Sequence, residues 1–341
     1  MNSKNPDISV VIPVHNGETY LSMCLHALKA SFHEEFETIV VDDGSKDGSA
    51  AIAKDFGVKV LELGRNYGPA AARNEGAAAA EAPIVLFIDA DVLVRGDTIS
   101  HVIEAFSKNP DVAAVFGSYD TEPSAPDFLS QYRNLLHHYV HQKSRSDAST
   151  FWSGCGAIKK DIFLEMGGFD RVRFSKPSIE DIELGYRMRR KGHRILLDKE
   201  LQVKHLKEWS FWSMLRTDVS QRAVPWSRLM LESRFSPRDL NVSLADRVSA
   251  ALVGILSVAL LVIIFAALFG SSGVLYPALI LSAVLVLALI VLNRQLYLFF
   301  LEERGFVFTL MAIPMHFLYF FYSGASYGLC WLGKKMSKKK K

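Results

Sequence analysis

Ile84-Val85-Leu86-Phe87-Ile88-Asp89-Ala90-Asp91 decides the fold of this chain. Five apolar residues run on from Pro83 without a break, the pattern of a strand covered on both faces of a sheet. Asp89 and Asp91 fall at its carboxyl end. Side chains two apart on an extended chain point the same way, so both carboxylates are expected to face one site. In open α/β sheets, ligands bind beyond the carboxyl ends of the strands. Two acids there suit a hard divalent cation, held by one or two carboxylates and by substrate phosphates. An acidic turn after a strand looks the same in isolation, so the surrounding sequence has to decide.

Working outward, apolar runs and turn residues alternate. Ile8 to Val14 is expected as a buried strand, ending in Pro13-Val14-His15-Asn16-Gly17. Leu21, Leu25 and Leu28 mark the inner face of a helix. Phe36 to Val41 is a second strand, ending in Asp42-Asp43-Gly44-Ser45, and Val58 to Leu63 is a third. Gly68-Pro69-Ala70 opens an alanine-rich helix through Ala80. A helix near Thr98 to Ser107 and a strand at Val112 to Phe116 follow the central strand. Strands and helices alternating at this spacing predict an α/β fold, Rossmann-like, with a mostly parallel sheet and helices on both faces.

The middle of the chain is less regular. His137, His138 and His141 lie on one expected helix, and no cysteine or acid stands at ligand spacing beside them. They are read as part of a solvated or interfacial helix. Phe151 to Ala157 is strand-like with small residues, and Gly154 there allows close approach by a ligand, by other backbone or by a bulge. Ser178-Ile179-Glu180-Asp181 starts a helix that Gly192 ends, with its acids in the first turn. The helix dipole favours acids at that position whatever else they do.

At 341 residues there is room for one large domain or two smaller ones, and a net charge of +3 gives no reason to expect nucleic acid as a partner. Cys24, Cys155 and Cys330 are far apart, which argues against a zinc site or a disulfide framework and fits a reducing compartment. Met1 to Asp7 is polar, with no apolar core of a signal peptide, so the soluble part is expected in the cytoplasm. Residues 1–235 are expected as that catalytic domain. Trp209, Trp212 and Trp226 mix with Arg216, Arg222 and Arg228 over residues 209–228, suggesting a segment in the membrane interface. Val248 to Phe269 and Val274 to Leu292 carry no charge, and each is long enough to cross a bilayer. Arg234, Arg238 and Arg247 precede the first, Arg294 and Arg304 follow the second, and Gly270 to Gly273 joins them without Lys or Arg. The positive-inside rule makes this a hairpin with both ends cytoplasmic, in a multi-pass protein of the cell membrane. Phe306 to Leu332 is a third apolar stretch, interrupted by Pro314 and His316. Three spans are expected from length. The six lysines of the polybasic tail, residues 333–341, would then lie outside against that rule, a conflict that a re-entrant or interfacial third segment would remove.

Pro13-Val14-His15-Asn16, Val41-Asp42-Asp43-Gly44-Ser45, Asp89-Ala90-Asp91 and Glu180-Asp181, in this order and spacing, resemble the family 2 inverting glycosyltransferases of GT-A fold. That group includes polyprenyl-phosphate sugar transferases and membrane glycan synthases. The resemblance covers residues 6 to about 230, and Arg73-Asn74 adds to it. It implies a nucleotide-sugar donor, a divalent cation (Mn2+ or Mg2+) and an acceptor at the membrane. Asp91 would hold the metal, with Asp89 close to the donor's ribose or sugar. Asp43 and the run Pro13, Val14, His15, Asn16 would receive the nucleotide base, and Arg73 the phosphates. Asp42 must point away from Asp43. Leaving-group charge on the diphosphate explains the metal, and inversion needs a base on the opposite face. The family places that base on the aspartate of its acidic pair, here Asp181, which leaves Glu180 to orient the site or bind the acceptor.

One motif departs from the processive members of the family. Gln221-Arg222-Ala223-Val224-Pro225-Trp226 keeps the Gln and Trp of their membrane-proximal motif, with an extra residue between them and no Arg before the Trp. Gln221, Trp226 and Gly154 remain candidates for acceptor contact. The expectation is therefore transfer of one sugar to a lipid-linked or other glycan acceptor. A processive polysaccharide synthase and a non-catalytic nucleotide-binding membrane scaffold are the alternatives.

Overall fold

A computed structural model of the chain describes residues 6–233 and 243–339. Arg234, Arg238, the expected domain end at 235, the first five residues and the last two lysines lie outside the described residues. The chain forms two compact units, Met1–Phe211 and Trp212–Lys341.

The first unit holds an eight-stranded sheet: β1 Ile8–Val14, β2 Phe36–Asp42, β3 Lys59–Glu62, β4 Ile84–Ile88, β5 Val92–Leu93, β6 Val112–Tyr119, β7 Cys155–Lys159 and β8 Arg194–His205. Its order is β3-β2-β1-β4-β7-β6-β8-β5. The pairs β1–β2, β2–β3, β1–β4 and β6–β8 are parallel, and β7 runs antiparallel between β4 and β6. The sheet is mostly parallel. Helices α1 Glu18–Lys29, α2 Ser49–Asp55, α3 Pro69–Ala79, α4 Thr98–Lys108, α5 Phe128–Lys143, α6 Lys160–Glu165 and α7 Glu180–Arg190 cover it.

The central strand is apolar throughout because neither face meets water. Val85, Leu86, Phe87 and Ile88 are fully buried. Leu86 and Ile88 share a core with Leu21, Leu25 and Leu28 of α1 and with Ile99, Val102 and Phe106 of α4. On the other face Phe87 packs against Phe163 and Phe169 at ring separations of 5.4 and 5.3 Å. Each such side chain contributes about 1.5–3 kcal/mol relative to exposure. The buried sandwich fixes the strand, and with it the position of the acids that follow.

The histidine helix is not the solvated or interfacial element expected. His138 and His141 are buried on α5, and their Nδ1–H groups donate to the carbonyls of Tyr119 and Gly117 at 2.7 and 2.9 Å. The pairing of β6 with β8 shifts register between Phe116 and Ser118, and the helix meets the carbonyl left there. Trp209 is corrected too. It is buried in the first unit with Arg133 and Lys207 over its ring at 4.2 and 4.4 Å, rather than lying in an interface.

The second unit begins within α8 Phe211–Arg216, followed by a π-helical stretch Thr217–Ala223 and α9 Val224–Ser233. Then come α10 Leu244–Leu268, α11 Ser272–Leu292 and α12 Arg294–Lys339. A capping box joins Ser243 and Asp246 at the start of α10. The last three helices are long and apolar enough to cross a membrane. Gly305, at φ 81°, interrupts α12.

Candidate active site

The site lies where the carboxyl ends of β1, β2 and β4 meet the start of α7, and Arg73 is its hub. Arg73 stands on α3 with its side chain 6% exposed. Its Nη2 donates to Asp89 Oδ1 at 2.6 Å and its Nη1 to Glu180 Oε1 at 3.0 Å. The Phe169 ring lies 5.8 Å from the guanidinium carbon. Burial works against the guanidinium's charge, but Asp89 and Glu180 outweigh it and raise its pKa above the ordinary value. Burial likewise raises both carboxyl groups, and Arg73 pulls them part of the way back. Both terminal nitrogens face carboxylates, so the expected phosphate contact by Arg73 would compete with this pair of ion pairs.

Glu180 and Asp181 diverge as neighbours on a helix must. Glu180 turns inward to Arg73 and accepts a second bond from the Ser178 amide at 3.0 Å. Asp181 is half-buried. Its Oδ2 accepts from the Ser153 amide and hydroxyl at 3.1 and 3.3 Å, and its Oδ1 from the Ile182 amide at 2.8 Å. Ser153 is held just before β7, and the Asp89 amide donates to the carbonyl of Gly154 at 3.2 Å. Gly154 is required by close approach: a Cβ there would stand 2.5 Å from the Trp152 ring. The two acidic motifs are thus tied twice, through Arg73 and through residues 153–154.

Asp89 and Asp91 have different partners. Asp91 Oδ2 is 3.8 Å from His205 Nε2, and the Asp91 carbonyl accepts from the Leu206 amide at 2.9 Å. The short antiparallel ladder of β5 with the end of β8 sets that approach. Burial opposes the charged form of Asp91, but His205 and then Lys207 outweigh it and hold the carboxyl below its ordinary range. His205 in turn stacks on Tyr119, with ring centroids 4.3 Å apart. A carboxylate oxygen is a donor that both Mn2+ and Mg2+ accept, and an imidazole nitrogen is one that Mn2+ takes far more readily than the oxygen-preferring Mg2+. Among the described residues no group of three or more acids, histidines or cysteines is arranged to hold a metal. A cation here would therefore take two protein donors and depend on substrate phosphates for the rest, which these residues fit.

The nucleotide-side residues stitch three loops together. His15 Nδ1–H donates to the Asp43 carbonyl at 2.8 Å, and Asn16 Nδ2 donates to His15 Nε2 at 3.1 Å. Asn16, at φ 53°, accepts from the Lys46 amide through its side chain. Asp43 is buried, with Oδ1 and Oδ2 accepting from the amides of Tyr67 and Gly68 at 2.7 and 2.8 Å. Asp42 points elsewhere and accepts from the Ser45 amide at 3.1 Å. Pro13 is partly exposed beside these loops and Val14 is buried. Gln221, on the π-helical stretch, and Trp226, on α9, belong to the second unit. Sequence reading missed His205 and Ser153. The alternation Leu201, Val203, His205, buried at every second position, is a legible strand signal for the first. Nothing marks Ser153 in sequence.

Residues 9–167 match the model of "Glycosyl transferase family 2". The chain is 26% identical over 215 residues to the glucosyl-dolichyl phosphate glucuronosyltransferase of Haloferax volcanii, covering 58% of this chain and 68% of that one. It is 26% identical over 175 residues to the teichoic acid poly(glycerol phosphate) polymerase of Staphylococcus epidermidis, covering 50% and 24%. For validoxylamine A glucosyltransferase of Streptomyces hygroscopicus subsp. limoneus the figures are 28% over 229 residues, covering 57% and 50%. The chain thus spans half or less of the length of these last two relatives. In fold it is similar to the mannosyltransferase of Pyrobaculum calidifontis solved with GDP-Man and Mn2+, at a TM-score of 0.51 and 16% identity over 96% of this chain and 87% of that one. Residues 9–167 are therefore a glycosyl transferase family 2 domain, built on a GT-A type sheet.

Proposed function

We propose that this protein is a metal-dependent inverting glycosyltransferase held at the cell membrane. It moves one sugar from a nucleotide-sugar donor to a membrane-associated, lipid-linked acceptor, with the first unit on the cytoplasmic side. The observation that carries the reading is the double tie between the two acidic motifs. Arg73 and residues 153–154 keep Asp181 in register with Asp89 and Asp91.

In this reading the base lies among Pro13, Val14, His15, Asn16 and Asp43. The donor diphosphate approaches Asp91 and His205, where a bound divalent cation would neutralise the charge that builds on it. Asp89, fixed by Arg73, faces the ribose or the sugar. Asp181 takes the proton of the acceptor hydroxyl. The acceptor oxygen bonds to the anomeric carbon as the bond to the diphosphate oxygen breaks on the opposite side, so the configuration inverts. Glu180 serves as a positioning residue, because its carboxylate is committed to Arg73 and the Ser178 amide. Trp152, half-buried beside Ser153, is the side chain this reading assigns to an acceptor ring. The neighbour solved with GDP-Man and Mn2+ supports a nucleotide sugar and a cation, and the relative named for a dolichyl phosphate substrate supports a lipid-linked acceptor.

The test is transfer by the purified full chain from UDP-, GDP- and dTDP-sugars to membrane lipid extracts, with and without Mn2+ or Mg2+. One sugar per acceptor, inverted and cation-dependent, is the expected result. A ladder of products would replace single transfer by polymerisation. Retention of configuration would remove Asp181 from its role.

A further inference from the structure

We infer that the third apolar segment does not cross the membrane. It turns back at Gly305 and lies on the near leaflet, against the helices that follow Phe211, with Lys334 and Lys335 among the headgroups of that side. The inference rests on the reading of α10 and α11 as a membrane hairpin.

Three observations within the second unit lead there. First, α12 is folded. In one straight helix Tyr297 and His316 would be about 28 Å apart. Instead the Tyr297 hydroxyl and His316 Nδ1 are 3.1 Å apart, and the rings of Phe300 and Phe308 are 5.7 Å apart. The reversal falls at Gly305, whose φ of 81° suits glycine.

Second, the chain leaves α11 and returns to the same level. Asn293, just past α11, donates to Ser249 in the early turns of α10 at 3.1 Å. Gly324 lies against Ala250, with a Cβ there 3.6 Å away, and Phe320 packs with Val253, Leu256, Leu285 and Leu289. The arm from Arg294 to Gly305 is about 16 Å long, half of the roughly 30 Å hydrocarbon layer. That arm cannot reach the far face. Glu302, Glu303 and Arg304 beside the turn keep it shallow, since charge near the midplane is costly.

Third, the remainder of α12 is fastened to the helices that precede the hairpin. Tyr322 donates to Asp218 at 2.7 Å, Cys330 Sγ is 4.0 Å from the Val224 carbonyl, and Lys334 donates to the Leu231 carbonyl. Residues 322–334 therefore accompany residues 218–231 on one side. Lys334 and Lys335 then fall on the side the positive-inside rule assigns them, against anionic headgroups. The number of crossings is even.

Single-cysteine accessibility tests this in intact cells making the full chain. Cys24 and Cys155 are buried, and Cys330→Ser removes the third thiol. Ser271→Cys marks the connector between α10 and α11, and Ser337→Cys marks the end of α12. A membrane-impermeant maleimide should label Ser271→Cys at once and Ser337→Cys only after permeabilisation. Equal labelling of both in intact cells would overturn the inference. Protection of both would overturn the hairpin beneath it. A fluorescent protein that matures only in the cytoplasm, fused after residue 341, should fluoresce, and a dark fusion in the membrane fraction would count against the inference independently of the substitutions.

Discussion

Arg73 and Glu180 are 107 residues apart in the chain and meet at 3.0 Å in a buried pocket. One comes from an alanine-rich helix beside β1 and β2, the other from the first turn of α7. Their contact, completed by Asp89 at 2.6 Å, brings the two acidic motifs into one site. Removing one partner of such a buried pair leaves uncompensated charge, at a cost of about 3–5 kcal/mol. Arg73→Leu strands two carboxylates and should lower the unfolding temperature sharply. Glu180→Gln keeps a hydrogen-bond acceptor for Arg73 and should be far milder. Thermal unfolding of both variants in detergent, alongside nucleotide binding, checks this. An Arg73→Leu protein as stable as the parent would show that the pair has no structural weight.

Much of this site is legible in sequence because strand ends carry it. The run 84–91 fixes a doubly covered strand and the place of Asp89 and Asp91, and the turn after β2 does the same for Asp43. What the sequence does not show is commitment. Asp43 reads as a free acceptor, yet both its oxygens accept backbone amides of a loop 24 and 25 residues later. Arg73 reads as a phosphate ligand because nothing local says that two distant acids will surround it. His205 is invisible as a site residue until the antiparallel pairing of β5 with β8 places it opposite Val92, next to Asp91. The helix of α5 misleads for the same reason, since His141 answers the Gly117 carbonyl left by a register shift in β6. Long-range pairing supplies all four, and local pattern cannot.

Asp91 and His205 should act together toward a cation. Asp91→Asn should abolish most Mn2+-dependent nucleotide binding, and His205→Ala should weaken Mn2+ by about 10- to 100-fold. There is a pH consequence as well. His205 helps hold the Asp91 carboxyl below its ordinary range, so in the parent that group stays ionised as the medium turns acid. Without His205 the metal-free Asp91 carboxyl loses that support and should protonate at a higher pH in His205→Ala than in the parent. Carboxyl NMR titration of the two metal-free proteins reads this directly. Parallel pH curves for the two proteins would separate His205 from Asp91.

Gly154→Ala probes the link between β4 and the base without touching an acid. The added methyl meets the Trp152 ring at 2.5 Å, so Trp152 or the backbone at Ser153 must shift. Asp181 takes two of its hydrogen bonds from Ser153 and should move with it. We expect kcat to fall by about 10-fold or more, as a displacement near 1 Å can cost, with donor KM nearly unchanged. A change confined to donor KM would mean that Gly154 serves the donor pocket rather than the base.

Asp181 itself gives the most direct test of the proposed chemistry. Its Oδ2 is oriented by the Ser153 amide and hydroxyl and its Oδ1 by the Ile182 amide, so the carboxylate is fixed before any acceptor arrives. A base held in this way contributes through position as much as through basicity. Asp181→Asn keeps the size of the side chain and removes the basic oxygen. Transfer should fall by about 10² to 10⁴, the range of a lost general base, while nucleotide and Mn2+ bind as in the parent. Ser153→Ala leaves the carboxylate in place and removes only the 3.3 Å hydroxyl bond, so it should cost far less than Asp181→Asn. That ordering distinguishes a base from a structural acid. If Asp181 only held the start of α7 in place, Asp181→Asn would lower the unfolding temperature and donor affinity together, and activity would follow donor occupancy. An Asn variant that binds donor normally and still turns over near the parent rate would end the assignment.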